Sequence, residues 1–416
     1  MNQLMKPSVD MIRQDLEALN EFNSTPGEGI TRVLFYEEEL EGRKYVKQRM
    51  QENGLEVRED AVGNVFGTLV GTDPELAPVW TGSHIDTVLN GGSFDGMTGV
   101  ISGLEALRVI KESGIPHKRN IEVIIYTSEE PTRFGLGCLG SRTMAGELTV
   151  EEMQRLTDKN GINFAQLLEE LGHDLSEIPD VVRKPGDVSA AVELHIEQGA
   201  ILESKGIKIG AVSTISAPTD IRVSVFGTQE HAGATPMDMR KDAMSAAAEI
   251  MLGLEGLARK ASDYSTVATV GKVEVLPGST NVIPGQVNFS IDIRSANMEE
   301  KETLIEKLKA IAECVEKVRD VKVELKMITH DAPADADPRI IETICNVCED
   351  KGISYQKMVS GAYHDSMFVA KFAPFGMIFV PSRNGISHHK DEWTDYEDIA
   401  AGTEILAETL LDLSNK

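Results

Sequence analysis

The sequence predicts an α/β protein, with a mostly parallel sheet sandwiched by helices and interrupted by a smaller α+β domain. Three observations point there. Apolar strand-like runs alternate with helical stretches over the first half of the chain, the grammar of a parallel sheet covered on both faces. From about Ile215 the pattern becomes strand, helix, two strands, helix, strand, the split βαβ order of a ferredoxin-like unit. After Pro338 the earlier helix–strand–helix grammar returns. The economical division is one domain over 1–213 and 330–416 and an inserted one over 214–329, and 416 residues suit two domains.

Taken in order, the stretch ending in YEEELEGRKYVKQRMQENG has a helical look and stops at Gly54. LEVREDAVGNVFGTLVG and APVWTGSHIDT read as strand-like pieces, GMTGVISGLEALRVIKESG as a helix, and NIEVIIYTSEE as a buried strand. A helical stretch broken near Gly146 and Gly161 runs from Cys138 to about Leu171, and SAAVELHIEQG is another apolar strand. In the insertion, IRVSVFG alternates like a half-exposed strand and DAMSAAAEIMLGLEGLARKA is a long helix. TVATVGKVEVLPG and QVNFSIDIRS pair as neighbours, EEKETLIEKLKAIAECVEKV is the second helix, and VKVELKMI is the last strand. FGMIFVPS and DYEDIAAGTEILAETLLDLS supply a closing strand and helix.

Acidic residues number 67 against 41 basic ones, a net charge of −26. Such a surface repels polyanions, so neither nucleic acid nor an anionic membrane is an expected partner. No apolar run reaches the length of a membrane helix, and no continuous apolar stretch follows a basic N-terminus, so a cytoplasmic location is expected. Four cysteines are too few for a disulfide framework. Cys345 and Cys348 form a CxxC without the second pair of a zinc ribbon, and their helical spacing turns both toward a core.

The histidines carry more information. Three apolar strands deliver one as they end, in VWTGSHIDT, AVELHIEQG and FVPSRNGISHH, and EVIIYTSEEPTRF delivers two adjacent carboxylates at the same place. The glycine turns NGG and DG put Asp95 shortly after the first strand. Ligands of open α/β sheets bind beyond the carboxyl ends of the strands, which aims His84, Asp95, Glu129, Glu130, His195 and His388 at one crevice. A lone strand-end histidine is ordinarily a satisfied loop residue. Three buried strands each ending in a histidine, with a fourth ending in paired glutamates, are not ordinary.

Three imidazoles with several carboxylates suit zinc, manganese or cobalt, and they exceed the needs of one ion. Asp95 is the natural bridge, with His84 and His195 completing one ion and Glu130 and His388 the other. Two ions about 3.5–4 Å apart share a water and lower its pKa from about 16 toward about 7. Glu129 is then left over as the general base that passes the proton to the leaving nitrogen. Asp86, two residues past His84, is placed to hold that imidazole by its other nitrogen.

At these residues the sequence resembles the dinuclear metallo-amidase and di-zinc exopeptidase superfamily. The closer likeness is to its hydantoinase/carbamoylase branch of N-carbamoyl-L-amino acid hydrolases, allantoate amidohydrolases and ureidoglycolate amidohydrolases. The motifs are GSHIDTVLNGGSFDG, SEEPTRFGLGCLGSR, ELHIEQGAILE, HAGATPMDMRKDA, GSTNVIPG, DIRS, GAYHDS and GISHHKDE, and the likeness runs from about residue 10 to the C-terminus. It implies a di-zinc exopeptidase-like catalytic domain and two divalent ions per subunit, Mn²⁺ favoured and Zn²⁺ or Co²⁺ suitable. It also implies a small ureido-acid substrate that loses ammonia, and a homodimer formed through the inserted domain, which doubles as a lid. The ligands it implies are the same five, with His388 rather than His389.

The resemblance adds a substrate shell. Gln198 contacts the ureido group, His231 polarises the scissile carbonyl across the dimer, and Asn281 and Arg294 hold the substrate carboxylate. An arginine fork matches a carboxylate, and such a charge-assisted contact contributes about 1.5–3 kcal/mol. Without the resemblance, Arg294 reads as a surface ion pair with Asp292 or Glu299, and His231 as a loop histidine. The last substrate loop is Gly361-Ala362-Tyr363-His364, where many relatives carry a pattern like GAGHDA, and Pro131-Thr132 stand where carbamoylases often have a glycine and a serine. Both variants resemble the ureidoglycolate side. Tyr363 either shortens the pocket and offers a hydroxyl to a polar α-substituent, or packs under its loop. The expected order of substrates is ureidoglycolate, N-carbamoyl-L-amino acids, then allantoate. A non-catalytic ligand-binding relative would tolerate loss of Glu129, which this chain keeps.

Overall fold

Residues 4–416 are described in a computed structural model. Along the chain the strands are β1 (Glu56–Glu59), β2 (Val65–Leu69), β3 (Val79–Ser83), β4 (Ile121–Ile125), β5 (Ala190–Ile196) and β6 (Ile209–Ile215). There follow β7 (Ala217–Phe226), β8 (Glu230–His231), β9 (Val267–Leu276), β10 (Val282–Ile283), β11 (Gln286–Ser295) and β12 (Lys322–His330), then β13 (Ala334–Asp335), β14 (Tyr355–Ser360) and β15 (Phe375–Val380). By contacts the chain falls into two compact units. One holds the residues up to Ser213, Asp335–Met358 and His364–Lys416, and the other holds Thr214–Ala334 and Val359–Tyr363. Residues 330–334 and 359–363, expected with the first domain, pack with the second unit.

The large sheet is ordered β1-β2-β4-β3-β5-β15-β6-β13, with β14 also paired to β6. Its centre, β4-β3-β5-β15, is parallel, whereas β1–β2, β2–β4 and β15–β6 are antiparallel. β2, β3, β4, β5 and β15 are buried at every position, a pattern that only a sheet covered on both faces can satisfy. From β3 the chain passes through the helix Met97–Ser113 to β4 on one side, while β5 lies on the other. The crevice at the carboxyl ends of β3 and β5 is therefore a topological switch point. The helix lies very close to the sheet there. A Cβ on Gly99 would stand 2.5 Å from the Leu194 carbonyl oxygen and 2.7 Å from Ser83 Cβ.

The second unit has a fully antiparallel sheet ordered β12-β7-β11-β9. In order of appearance that is fourth, first, third, second, the split βαβ arrangement. Alternate residues of β7 and β11, including Ile221, Val223, Phe289 and Ile291, are buried in one core with Ile250 of the helix Ala243–Ala258 and Leu308 of the helix Met298–Arg319. A separate two-stranded ribbon pairs β8 with β10.

Several expected elements come out differently. The first helical stretch is two helices, Val9–Asn20 and Glu37–Glu52. Between them Pro26 and two positive-φ glycines, Gly27 and Gly29, turn the chain, and the Asn23 side-chain oxygen accepts the Thr25 and Thr31 N–H groups. The stretch from 138 to 171 is three short helices, Leu139–Met144, Val150–Met153 and Phe164–Glu170, the last two opened by capping boxes at Thr149 and Asn163. β6, β13 and β14 were not anticipated; YQKMVS in β14 shows almost no apolar alternation. Cys345 and Cys348 are buried on the helix Pro338–Lys351. No helix among the described residues is long and apolar enough to cross a membrane.

The close approach at Gly99 makes a prediction. Gly99→Ala should lower stability by about 1–3 kcal/mol in urea denaturation, because overpacking against a backbone carbonyl outweighs alanine's better helix propensity. A stabilised variant would mean that the helix can shift freely on the strands.

Candidate active site

His84 follows β3 directly, and its Nδ1 lies 2.9 Å from the Asp86 carbonyl oxygen. His195 sits near the end of β5 with Nδ1 2.9 Å from the Ile196 carbonyl oxygen. A carbonyl at Nδ1 fixes the proton on that nitrogen and leaves the Nε2 lone pair pointing into the crevice. The Gly96 N–H accordingly donates to His195 Nε2, at 3.3 Å. Glycine is needed at 96, where φ is +69° and a Cβ would lie 2.4 Å from the His84 ring.

Asp95 organises the centre. Its Oδ1 lies 3.2 Å from His195 Nε2 and 3.8 Å from His84 Nε2, whereas its Oδ2 lies 3.0 Å from His388 Nε2. Glu130 Oε1 is 3.6 Å from the same His388 nitrogen. Ligand atoms of His84, Asp95 and His195 thus fall within 4.8 Å of one another, and so do those of Asp95, Glu130 and His388. One carboxylate faces two donor sets with two different oxygens. Gln198, at a positive φ of 56°, donates from Nε2 to Asp95 Oδ2 at 2.9 Å, while its buried Oε1 has no partner among the described residues.

The electrostatics suit cations. Burial, then the neighbouring Glu130, pushes the Glu129 carboxyl well above the usual range, and burial followed by Asp95 raises Glu130 to about 8. Burial lowers His84 to about 4. Asp95 is buried too, yet its hydrogen bonds to His195 and His388 hold it well below the ordinary carboxylate value. The same bond raises His388 to about 9, and it raises His195 to about 9 against the effect of burial. Borderline dications accept this mixed nitrogen and carboxylate donor set and would relieve the crowding of acids.

Asp86 lies against His84 Nδ1, as expected, and has a further contact. It meets His84 through its backbone carbonyl, and its carboxylate, 3.8 Å from Nδ1, accepts the N–H groups of Glu129 at 3.3 Å and Glu130 at 3.0 Å. It thereby fixes the turn that presents both glutamates, just after Ser128 at φ 57°. Glu129 Oε2 lies 3.8 Å from His84 Nε2. The His364 ring packs 4.6 Å from that of His195, next to Glu193. Sequence reasoning missed Glu193, which accepts the Ser83 and Ser366 hydroxyls from inside β5, and Glu392, which accepts donors from both the Asp95 and His388 segments. A charged residue inside the apolar run AVELHI was the available signal for the first.

In the second unit His231 stands opposite Val282 in the β8–β10 ribbon, and the Asn281 carbonyl accepts the Ala232 N–H at 3.0 Å. His231 Nδ1 accepts the Gly233 N–H at 3.0 Å, so in the neutral ring Nε2 carries the proton and is a donor. Arg294 forks onto Asp292 at 3.0 Å and also donates to the Gly361 carbonyl at 3.2 Å. This is the ion pair that the sequence alone suggests. Tyr363 donates its hydroxyl to Asp331 Oδ2 at 3.2 Å, and Ala362 N–H binds Ser360 Oγ at 3.2 Å.

The sequence profile of peptidase family M20/M25/M40 matches residues 80–412, a span that includes every residue of this centre. The chain belongs to this family. Within it, the chain is 41% identical over 415 residues to a ureidoglycolate hydrolase of Arabidopsis thaliana, covering 98% of this chain and 87% of that one. It is 40% identical to an N-carbamoyl-L-amino acid amidohydrolase of Geobacillus stearothermophilus, covering 96% and 97%. A crystal structure of AtUAH in complex with glyoxylate superposes with a TM-score of 0.89 at 39% identity, covering 99% of each chain.

A family member with this donor set should be stabilised by its cation. Adding Mn²⁺ or Zn²⁺ to chelator-stripped protein should raise the thermal midpoint, since binding to the folded state alone adds about 2.7 kcal/mol at a hundredfold excess over Kd. Asp95→Ala should abolish the shift, and an unchanged midpoint in the parent protein would speak against a cation site.

Proposed function

We propose that this protein hydrolyses the ureido C–N bond of a small acid anchored by its carboxylate, releasing ammonia (and carbon dioxide where the ureido group is lost), with ureidoglycolate as lead substrate. The observation behind it is Asp95, whose two oxygens face two donor sets. His84 and His195 would hold one ion and Glu130 and His388 the other, with Asp95 shared between them. Mn²⁺ is favoured, and Zn²⁺ or Co²⁺ fits the same donors. Bound there, two divalent ions polarise the substrate carbonyl and acidify the attacking water.

The remaining roles belong to the chain itself. Glu129, a buried carboxylate with raised proton affinity, takes the proton of the attacking water and delivers it to the leaving nitrogen. Gln198 Oε1, buried and unpartnered, accepts a ureido N–H. In the second unit, His231 Nε2–H donates to the carbonyl oxygen and Arg294 with Asn281 holds the carboxylate. Gly361, Ala362, Tyr363 and His364 supply the last substrate loop. The second unit is also the proposed dimer surface, and the edge strand β9 carries exposed Val267, Val273 and Leu276. The proposed location is the cytoplasm.

The Tyr363–Asp331 bond supports the packing role of Tyr363, which keeps N-carbamoyl-L-amino acids as the alternative and allantoate third. Ammonia release with Mn²⁺ present should rank ureidoglycolate first by kcat/KM, and a higher value for an N-carbamoyl-L-amino acid would select the alternative. No turnover of any of the three by metal-loaded protein would indicate a binding relative. Tyr363→Gly should change the ranking; if it does not, the pocket argument for ureidoglycolate fails. Glu129→Gln should retain both metals and lower kcat by about 10²- to 10⁴-fold. Loss of metal instead, by elemental analysis, would make Glu129 a ligand.

A further inference from the structure

Glu392 lies near the end of GISHHKDE and is only 2% exposed. No lysine or arginine among the described residues forms an ion pair with it. A buried carboxylate without a counter-charge persists only where several donors satisfy it, and Glu392 has four. Its Oε1 accepts the N–H groups of Phe94 at 2.9 Å and Asp95 at 3.0 Å. Its Oε2 accepts the Ser387 hydroxyl at 2.7 Å and the His388 N–H at 3.3 Å. One oxygen thus serves the segment that carries Asp95, and the other serves the segment that carries His388.

The fit also explains a glycine. A Cβ at Gly92 would stand 2.0 Å from Glu392 Oε1. No positive φ demands glycine there, and the three atoms nearest to such a Cβ all belong to the Glu392 carboxylate. Gly92 is the clearance for Glu392.

We propose that Glu392 is a positioning residue that clamps the Asp95 segment to the His388 segment, setting the distance between Asp95 Oδ2 and His388 Nε2 and hence the affinity of the cation position they share with Glu130. Glu392 touches neither ion nor substrate. The proposal rests on the two-ion reading above. Glutamine keeps the shape but has one oxygen. It can hold the Phe94 and Asp95 N–H groups, and the Ser387 hydroxyl can turn to accept from its amide, which leaves the His388 N–H without an acceptor. The loss should therefore fall on the His388 position.

The test is a Mn²⁺ titration of metal-stripped protein, followed by electron paramagnetic resonance and elemental analysis. The parent should take up two ions and show a spin-coupled pair. Glu392→Gln should bind the first ion as the parent does and the second about 10- to 100-fold more weakly, the usual effect of removing a ligand's supporting partner. An isolated-ion spectrum should appear at one equivalent and the pair should return with excess Mn²⁺. Gly92→Ala should give the same split by displacing the carboxylate, and combining it with Glu392→Ala should add nothing, since one cause acts through the other. Two ions bound by Glu392→Gln with parental affinities, or equal weakening of both, overturn the clamp while leaving the two-ion reading intact. A parent that binds fewer than two ions overturns both. If Glu392→Gln does not fold, Gly92→Ala carries the same comparison alone.

Discussion

Acids gathered at the ends of apolar strands repel one another, and that repulsion is the constraint around which the first unit is arranged. Asp86, Asp95, Glu129, Glu130 and Glu392 are all buried within one crevice. Burial penalises each charge, and each neighbour raises the cost for the next. The protein meets part of this with hydrogen bonds, two N–H donors for Asp86 and four donors for Glu392, and part by setting the imidazoles of His195 and His388 against Asp95. Those measures leave Glu129 and Glu130 with raised proton affinities. Dications would relieve this crowding, and the fully buried parallel strands hold the groups that end them in place.

The same constraint explains what could be read in advance. Buried parallel strands leave long apolar runs, so β3, β4, β5 and β15 were evident, and the residues that end them pointed to the crevice. The insertion was legible because alternation with period two survives in β7 and β11, each of which has one covered face. Less visible were elements set by tertiary context. β14 has little apolar pattern, and the chain between 138 and 171 folds by local caps rather than by a continuous amphipathic face. Residues that act through backbone donors were hidden for a related reason. The Asp86 carboxylate binds amides forty-odd residues away, and no spacing rule connects Glu392 to Phe94.

In the second unit the sequence offered chemistry and the fold supplies its orientation. His231 is fixed as an Nε2–H donor by the Gly233 amide, and Arg294 has its fork occupied by Asp292.

The two imidazoles next to Asp95 Oδ1 are sealed, with His84 2% and His195 1% exposed, whereas the His388 side chain beside Oδ2 is 51% exposed. Such asymmetry would separate two bound ions in time as well as in strength. An ion held at the inner position would exchange slowly, whereas one held at the outer position would equilibrate with the surrounding medium. Preparations of one protein would then carry mixed metals, and the history of a sample would become part of its behaviour.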